Sequence, residues 1–283
     1  MAATKSQNNL ELTLKYNQTS QTVCVHQYTA FPLRLSSPFR FEGANSNRIY
    51  HYLINTSPGL FAGDRLNLLL KLAPNSSLYL TDQAATKVHP RIKQGTKASV
   101  NYHIIVDEYA SFEFIPEPII LYSNAVLEQN MTIKLHDTAK LFLSEIILPG
   151  RLARNEYYNF NYYSNRLTIL DWAEKILFID AQRLTGTDNK FKNDNLFTSL
   201  PVLGNAIALL PEIDLELLTT QLKNSSLLNS INIEVATTIL PSENGILIRA
   251  MSQKTSVLKK YFTYALNCTR AITNQSPLPY IAK

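Results

Sequence analysis

Between residues 66 and 144 a strand–turn–strand unit recurs three times. Leu66, Leu68, Leu70 and Leu72 share one face of a strand, the chain turns at Ala73-Pro74-Asn75, and Ser77-Leu78-Tyr79-Leu80-Thr81 follows. A strand ending at Val106 turns at Asp107-Glu108 into Ser111-Phe112-Glu113-Phe114-Ile115. A strand ending at Leu135 turns at His136-Asp137-Thr138 into Lys140-Leu141-Phe142-Leu143-Ser144. Leu78, Phe112 and Leu141 are about thirty residues apart, a period at which supersecondary units stack on one another. Two architectures satisfy it: hairpin-like rungs wound one upon the next, or ordinary antiparallel hairpins in a sandwich.

Each return strand runs into a segment of different chemistry. The first meets Thr81-Asp82-Gln83-Ala84-Ala85-Thr86-Lys87, the second Pro116-Glu117-Pro118, and the third Glu145 and then Gly150-Arg151. Stacked rungs would lay these segments side by side and gather Asp82, Lys87, Glu117, Glu145 and Arg151 along one edge. Ahead of the first rung stands Pro58-Gly59-Leu60-Phe61-Ala62-Gly63-Asp64-Arg65. Glycines four apart signal positive φ or close chain approach, and the local reading is a tight turn with Asp64 paired to Arg65. A phosphate-binding loop needs Lys and Ser/Thr directly after its second glycine. Asp64 and Arg65 hold those places, and an aspartate repels phosphate.

The rest of the chain is strand-rich. Leu10, Leu12, Leu14 and Tyr16 alternate with polar residues, and 23–28 and 48–54 read as further strands. Tyrosine-rich 156–163, then 166–170, 176–181, 200–210, 231–239 and 245–251 are strands, with 185–195 a polar loop. Ile213, Leu217, Leu218 and Leu222 sit at helical spacing over 212–223. Val257, Leu258, Tyr261, Phe262, Ala265 and Leu266 do so over 255–270, capped by Thr255 or Ser256. The tail from Gln275, with two prolines, reads as loose. No linker divides composition classes, so 1–283 is expected to be a single domain, and its 283 residues can bury a core without staples.

Composition narrows function more than it names one. Two cysteines, Cys24 and Cys268, with no C-x-x-C, fit a reducing compartment and rule out a zinc ribbon. The histidines are scattered without an H-E-x-x-H. His51, His103 and Cys24 fall within strands as packed residues, whereas His89 and His136 fall at exposed positions. The N-terminus lacks an apolar signal core, and apolar runs are too short for a membrane span. A net charge of +5 with dispersed Lys and Arg makes no nucleic-acid stripe. There is no G-x-S-x-G elbow. A glycosidase would need paired carboxylates, and no spacing singles out Asp82, Glu117 or Glu145 for that work.

Glu145 is the most informative residue. Alternation puts it on the face of Leu141, Leu143 and Ile147. A carboxylate there must be paired, hydrogen-bonded or neutralised. The alternatives are a buried ion pair with Arg151 or Arg154, and a carboxylate facing a water-filled passage.

Taken together, P-G-L-F-A-G-D-R-L (58–66), T-D-Q-A-A-T-K-V (81–88), F-E-F-I-P-E-P-I-I-L-Y-S-N-A (112–125), S-E-I-I-L-P-G-R-L-A-R-N-E-Y-Y (144–158) and P-V-L-G (201–204) resemble the urease accessory protein UreD family, also called UreH. The order and spacing of the motifs carry the resemblance. Pro58, Phe61 and Asn155 depart from the family's glycine, valine and glycine, and the likeness fades after residue 205. The resemblance implies a mainly β protein, an elongated β-superhelix with about two short α-helices in its C-terminal third. It implies a cytoplasmic, non-enzymatic scaffold that binds urease apoprotein and UreF, which recruits the GTPase UreG, so that nickel is installed in urease with GTP hydrolysis. Nickel in transit would be its only metal, with no tightly bound cofactor, and Asp64, Glu145 and Glu156 are the expected carboxylates of an internal route. Gly59, Gly63, Arg65, Asp82, Thr86, Lys87, Glu117, Gly150 and Arg151 are the expected motif or partner-binding residues. The competing reading is a carbohydrate-binding or glycan-cleaving β-superhelix.

Overall fold

The computed structural model describes residues 8–186, 195–230, 232–242 and 244–281. Four strands open the chain: β1 (Leu10–Tyr16), β2 (Thr22–Thr29), β3 (Leu33–Leu35) and β4 (Ile49–Asn55). Then come β5 (Arg65–Leu72), β6 (Ser77–Asp82), β7 (Thr86–Val88), β8 (Ala98–Val106), β9 (Ser111–Phe114), β10 (Ile119–Leu121), β11 (Val126–Leu135) and β12 (Lys140–Leu148). The remainder is β13 (Tyr162–Leu170), β14 (Ile176–Thr185), α1 (Asn195–Ser199), β15 (Val202–Leu209), α2 (Leu215–Lys223), α3 (Ser226–Ser230), β16 (Ile233–Ile239), β17 (Gly245–Ser252) and α4 (Thr255–Ile272). The protein is mainly β, with its longer helices in the last third.

The strands form two sheets. One runs β14-β13-β11-β8-β5-β1-β2, the other β16-β17-β15-β12-β9-β6-β4-β3. The repeated turns carry the chain from the first sheet to the second rather than closing hairpins. Strands of one round pair in parallel with those of the next: β5 with β8 and β8 with β11, β6 with β9 and β9 with β12. Leu78, Phe112 and Leu141 are direct register partners. The third segments align as well, with Thr86 opposite Ile119 and Ile119 opposite Ile147. Among the described residues both sheets keep free edge strands, and neither closes into a barrel.

Alternation then sorts the side chains into two cores. Leu66, Leu68, Leu70, Leu78, Leu80, Phe112, Phe114, Leu141 and Leu143 meet between the sheets. The opposite face of the second sheet presents Tyr79, Phe142, Ile146, Ala208 and Ile248 to Leu218 and Leu222 of α2 and to Leu258, Tyr261, Phe262 and Leu266 of α4. A strand covered on both faces is apolar throughout, which is why β12 is buried at almost every position. The helix seats closely: a Cβ on Gly204 would stand 2.8–2.9 Å from Phe262 and Leu258.

Several boundaries differ from the sequence expectation. The tyrosines of 156–161 lie in loop, and β13 begins only at Tyr162. Tyr158 and Phe160 are aromatic for packing, being buried at 2% and 0% exposure. Most of the expected loop 185–195 lies outside the described residues. Asp214 caps α2 by accepting from Leu217 N, whereas α4 starts after Lys254 with no side-chain cap bond. The tail from Gln275 is docked rather than loose. Gln275 accepts a hydrogen bond from Arg48, Leu278 N donates to Asn267 Oδ1 at 2.8 Å, and Leu278 and Ile281 pack on the helix-side core. No helix among the described residues is long and apolar enough to cross a membrane.

Candidate functional site

A cavity of about 110 Å³ lies between the sheets, large enough for several waters. Its wall is mostly apolar, with leucine the commonest residue, yet Asp82, Glu117, Glu145 and Asp180 line it, together with Gln129, Asn165 and Asn205. Strand register makes this polar band. Glu145, Asn205 and Arg249 are neighbours across β12, β15 and β17. Gln129, Asn165 and Gln182 are neighbours across β11, β13 and β14. Two polar rows thus face each other across an apolar interior.

Glu145 is 8% exposed and sits at the centre. Its Oε1 accepts from Tyr163 Oη at 2.7 Å and from Gln129 Nε2 at 2.9 Å. Asn165 Nδ2 donates to both carboxylate oxygens at 3.1 Å, and Asn205 Nδ2 approaches Oε2 at 3.5 Å. All four donors are neutral, and Glu145 makes no ion pair among the described residues. Arg151, one candidate partner from sequence, turns to Glu156 instead. Burial pushes the Glu145 carboxyl above its usual value, and the hydrogen bonds offset only part of that. Burial and the charges of Asp82 and Glu145 keep Tyr102, on the cavity wall, a neutral phenol. Glu117 pairs with Lys259 of α4, and Asp180 with Arg249 at 2.6 Å. Among the described residues no three His, Cys, Asp or Glu side chains converge as a metal-holding group. His51 is buried, bonds Ser36 O through Nδ1 at 3.0 Å, and is held neutral with its pKa lowered to about 4 by burial.

The other motif residues form a seam outside the cavity. Phe61 stacks on His89 with ring centroids 4.2 Å apart, and His89 meets the edge of Tyr122 at 5.3 Å. Arg151 lies 4.5 Å over the same Tyr122 ring and clasps Glu156 at 2.7 and 2.8 Å. His89 is thus half-buried in a stack rather than exposed. Asp64 forms no ion pair with Arg65 among the described residues; its Oδ2 accepts from Phe61 N at 2.8 Å and closes its own turn. Arg65 and Lys87 are exposed. The loop's amides are already used: Leu60 N bonds Lys87 O and Gly63 N bonds Lys97 O, both at 2.8 Å. No nest of free N–H groups faces outward for phosphate. Of the residues expected to gather on one edge, the structure brings Asp82, Glu117 and Glu145 to the cavity, and Thr86 of the motif set lines it too. Asp64, Lys87, Arg151 and Glu156 lie off it, in the neighbouring seam.

The glycines explain why the seam holds. Gly59 has φ +150°, and a Cβ there would stand 2.4 Å from Lys87 O. Gly150 has φ +148°, and its Cβ would stand 1.9 Å from Glu156 O. Gly63, at φ +108°, has open space around it. Gly59→Ala is therefore expected to cost about 2–4 kcal/mol, from backbone strain plus collision. Gly63→Ala should cost about 1–2 kcal/mol, from its dihedral alone. Urea unfolding of both variants checks the order; an equal loss would show that close approach to Lys87 is not what selects Gly59.

A model of the UreD urease accessory protein family matches residues 7–283. The chain belongs to the UreD urease accessory protein family. It is 50% identical over 278 residues, 98% of its length, to the whole of a urease accessory protein UreD from Trichodesmium erythraeum (strain IMS101). It is 33% identical over 191 residues to a urease accessory protein UreH from Helicobacter pylori (strain G27), covering 68% of this chain and 70% of that one. A UreD from Nostoc sp. is 29% identical over 89% of this chain and 87% of the relative.

Sequence reasoning reached Glu145, Asp82 and Glu117 but missed Gln129, Asn165, Asn205, Tyr163, Asp180 and Arg249. Each is a polar residue at an inward position of an otherwise alternating strand. The signal was present strand by strand, but only the register shows that they converge.

Proposed function

We infer that this UreD-family chain serves urease maturation by passing nickel through the cavity around Glu145. The observation that carries the reading is a buried carboxylate held by neutral donors inside a cavity with room for several waters, with Asp82, Glu117 and Asp180 along the same wall. A conducting route needs contacts favourable enough to admit a cation and weak enough to release it. Hard oxygen ligands in succession suit that better than a closed thiolate or imidazole site. Nickel is here cargo, met by one carboxylate at a time.

On this reading the chain acts as a scaffold without catalysis of its own, assembled in the cytoplasm with urease apoprotein, UreF and UreG, the last supplying GTP hydrolysis. The parallel stacking of the three rounds supports a β-superhelical path, with the cavity enclosed between its two sheets. A cavity of this size between sheets does not suit a sugar chain, which weighs against the glycan-cleaving alternative.

The test is co-expression of the urease subunits and accessory proteins with and without this chain. Metal analysis of purified urease should show several-fold less nickel in its absence, and tagged chain should retain urease subunits and UreF. Full nickel loading without the chain defeats the reading.

A further inference from the structure

We propose that Arg249 is the gate at one end of the cavity, its guanidinium occupying the place that a passing cation must take between Asp180 and Asn205. The inference rests on the reading of the cavity as a metal route, which it deepens. Arg249 donates to Asp180 Oδ1 at 2.6 Å and to Asn205 Oδ1 at 2.5 Å. Both acceptors line the cavity, and Asn205 in turn reaches toward Glu145 and bonds Gln182 at 3.1 Å.

The position is a boundary. Across the second sheet, Asp82 ends β6, Glu145 lies in β12, Asn205 in β15 and Arg249 in β17, so the polar line ends at the arginine. Beyond it, among the described residues, is a groove of about 490 Å³ lined by Gln182, Arg183, Phe197, Glu234 and Arg249 itself, with Asn205 shared with the cavity. The Arg249 side chain is 36% exposed and Asp180 19%. One face of the guanidinium is therefore accessible while its donors hold the inner acceptors. At the opposite end the cavity wall includes exposed Ala84 next to half-buried Asp82.

A guanidinium suits this role. It is always charged and bridges two acceptors with a planar fork. It satisfies Asp180 while repelling a second cation from that carboxylate. Moving it aside exposes Asp180 and Asn205, two oxygen ligands continuous with Glu145.

The test reads access directly and needs neither urease nor nickel. Val100, buried on the cavity wall between the sheets, is changed by Val100→Cys in a Cys24→Ser background. The introduced thiol is titrated with the cationic ethylammonium methanethiosulfonate and the neutral methyl methanethiosulfonate. Buried Cys268 reports general loosening. Arg249→Met should raise the cationic rate at the introduced thiol about tenfold and the neutral rate less, with Cys268 unchanged. Arg249→Gln, whose amide still donates to Asp180, should raise the cationic rate in the same sense and serves if the methionine variant does not fold. An unchanged cationic rate overturns the gate, as does a rise matched at Cys268. Failure of the nickel test with a positive access test would remove the cargo and leave the gate.

Discussion

Glu145→Gln should fold, and urease co-expressed with it should carry several-fold less nickel. The change removes one charge from the cavity and keeps the shape. It also keeps the hydrogen bonds after one rearrangement. Glu145 now accepts only, from Tyr163, Gln129 and Asn165. A glutamine amide would set its NH₂ against the Asn165 NH₂. Asn165 Oδ1, however, is buried with no partner, so a turn of that amide offers an acceptor to the new donor, and the clash becomes a bond. The pH dependence checks the same physics. A carboxyl whose folded pKa lies above its unfolded value makes the folded state bind more protons between the two, so wild-type stability falls as pH rises through that window. Glu145 is such a group. The glutamine variant lacks the loss, and its stability relative to wild type should improve as pH rises from the ordinary carboxylate range. Urea midpoints at several pH values measure this, and metal analysis measures the cargo. Collapse of the variant at neutral pH would make the Glu145 charge structural, and normal nickel loading would take Glu145 off the route.

The stacked units were legible because periodicity is local information. Leu78, Phe112 and Leu141 stand out by their spacing, and they are register partners. Glu145 was legible because a carboxylate at an inward position stands out against Leu141, Leu143 and Ile147. Its surroundings were not. Asn205 lies directly opposite Glu145 although sixty residues separate them, and Arg249 lies opposite Asn205 from another strand again. Such pairings follow from sheet order, which no window of residues contains. Seam residues were misassigned for a related reason. Arg151 is one of two arginines that the sequence offers as a partner for Glu145, but a sharp return at Gly150 places Glu156 beside it instead. Glu113 was invisible as a core residue because Phe112 and Phe114 so clearly claim the inner face. Its own face is covered by α4, whose Arg270 lies 157 residues away in the chain.

Arg270→Met should be the most destabilising of the single changes named, at about 3–5 kcal/mol, because it strands buried carboxylates. Arg270 is 1% exposed and grips Glu113 at 2.5 and 3.0 Å and Glu42 at 3.0 Å. Arg48 holds the same two carboxylates at 2.8 and 3.2 Å, and Tyr50 donates to Glu42. The network is balanced, two cations against two anions. Burial alone would raise the Glu42 pKa, but Arg48, Tyr50 and Arg270 hold it below its usual value; that contribution to stability is present above the ordinary carboxylate range and is lost as pH falls through the depressed one. Removing Arg270 leaves one negative charge without a partner between the sheet and α4. Adding Glu113→Gln removes that excess and leaves Glu42 with Arg48, so the double variant should recover much of the loss despite having fewer polar contacts. The helix also carries Lys259, the partner of Glu117 on the cavity wall. Loosening α4 should therefore lower nickel delivery together with stability, and the double variant should restore both. Guanidinium midpoints decide the point. Losses below about 1 kcal/mol in Arg270→Met, or a double variant no more stable than the single, would show that α4 is held by its apolar face and Gly204 alone.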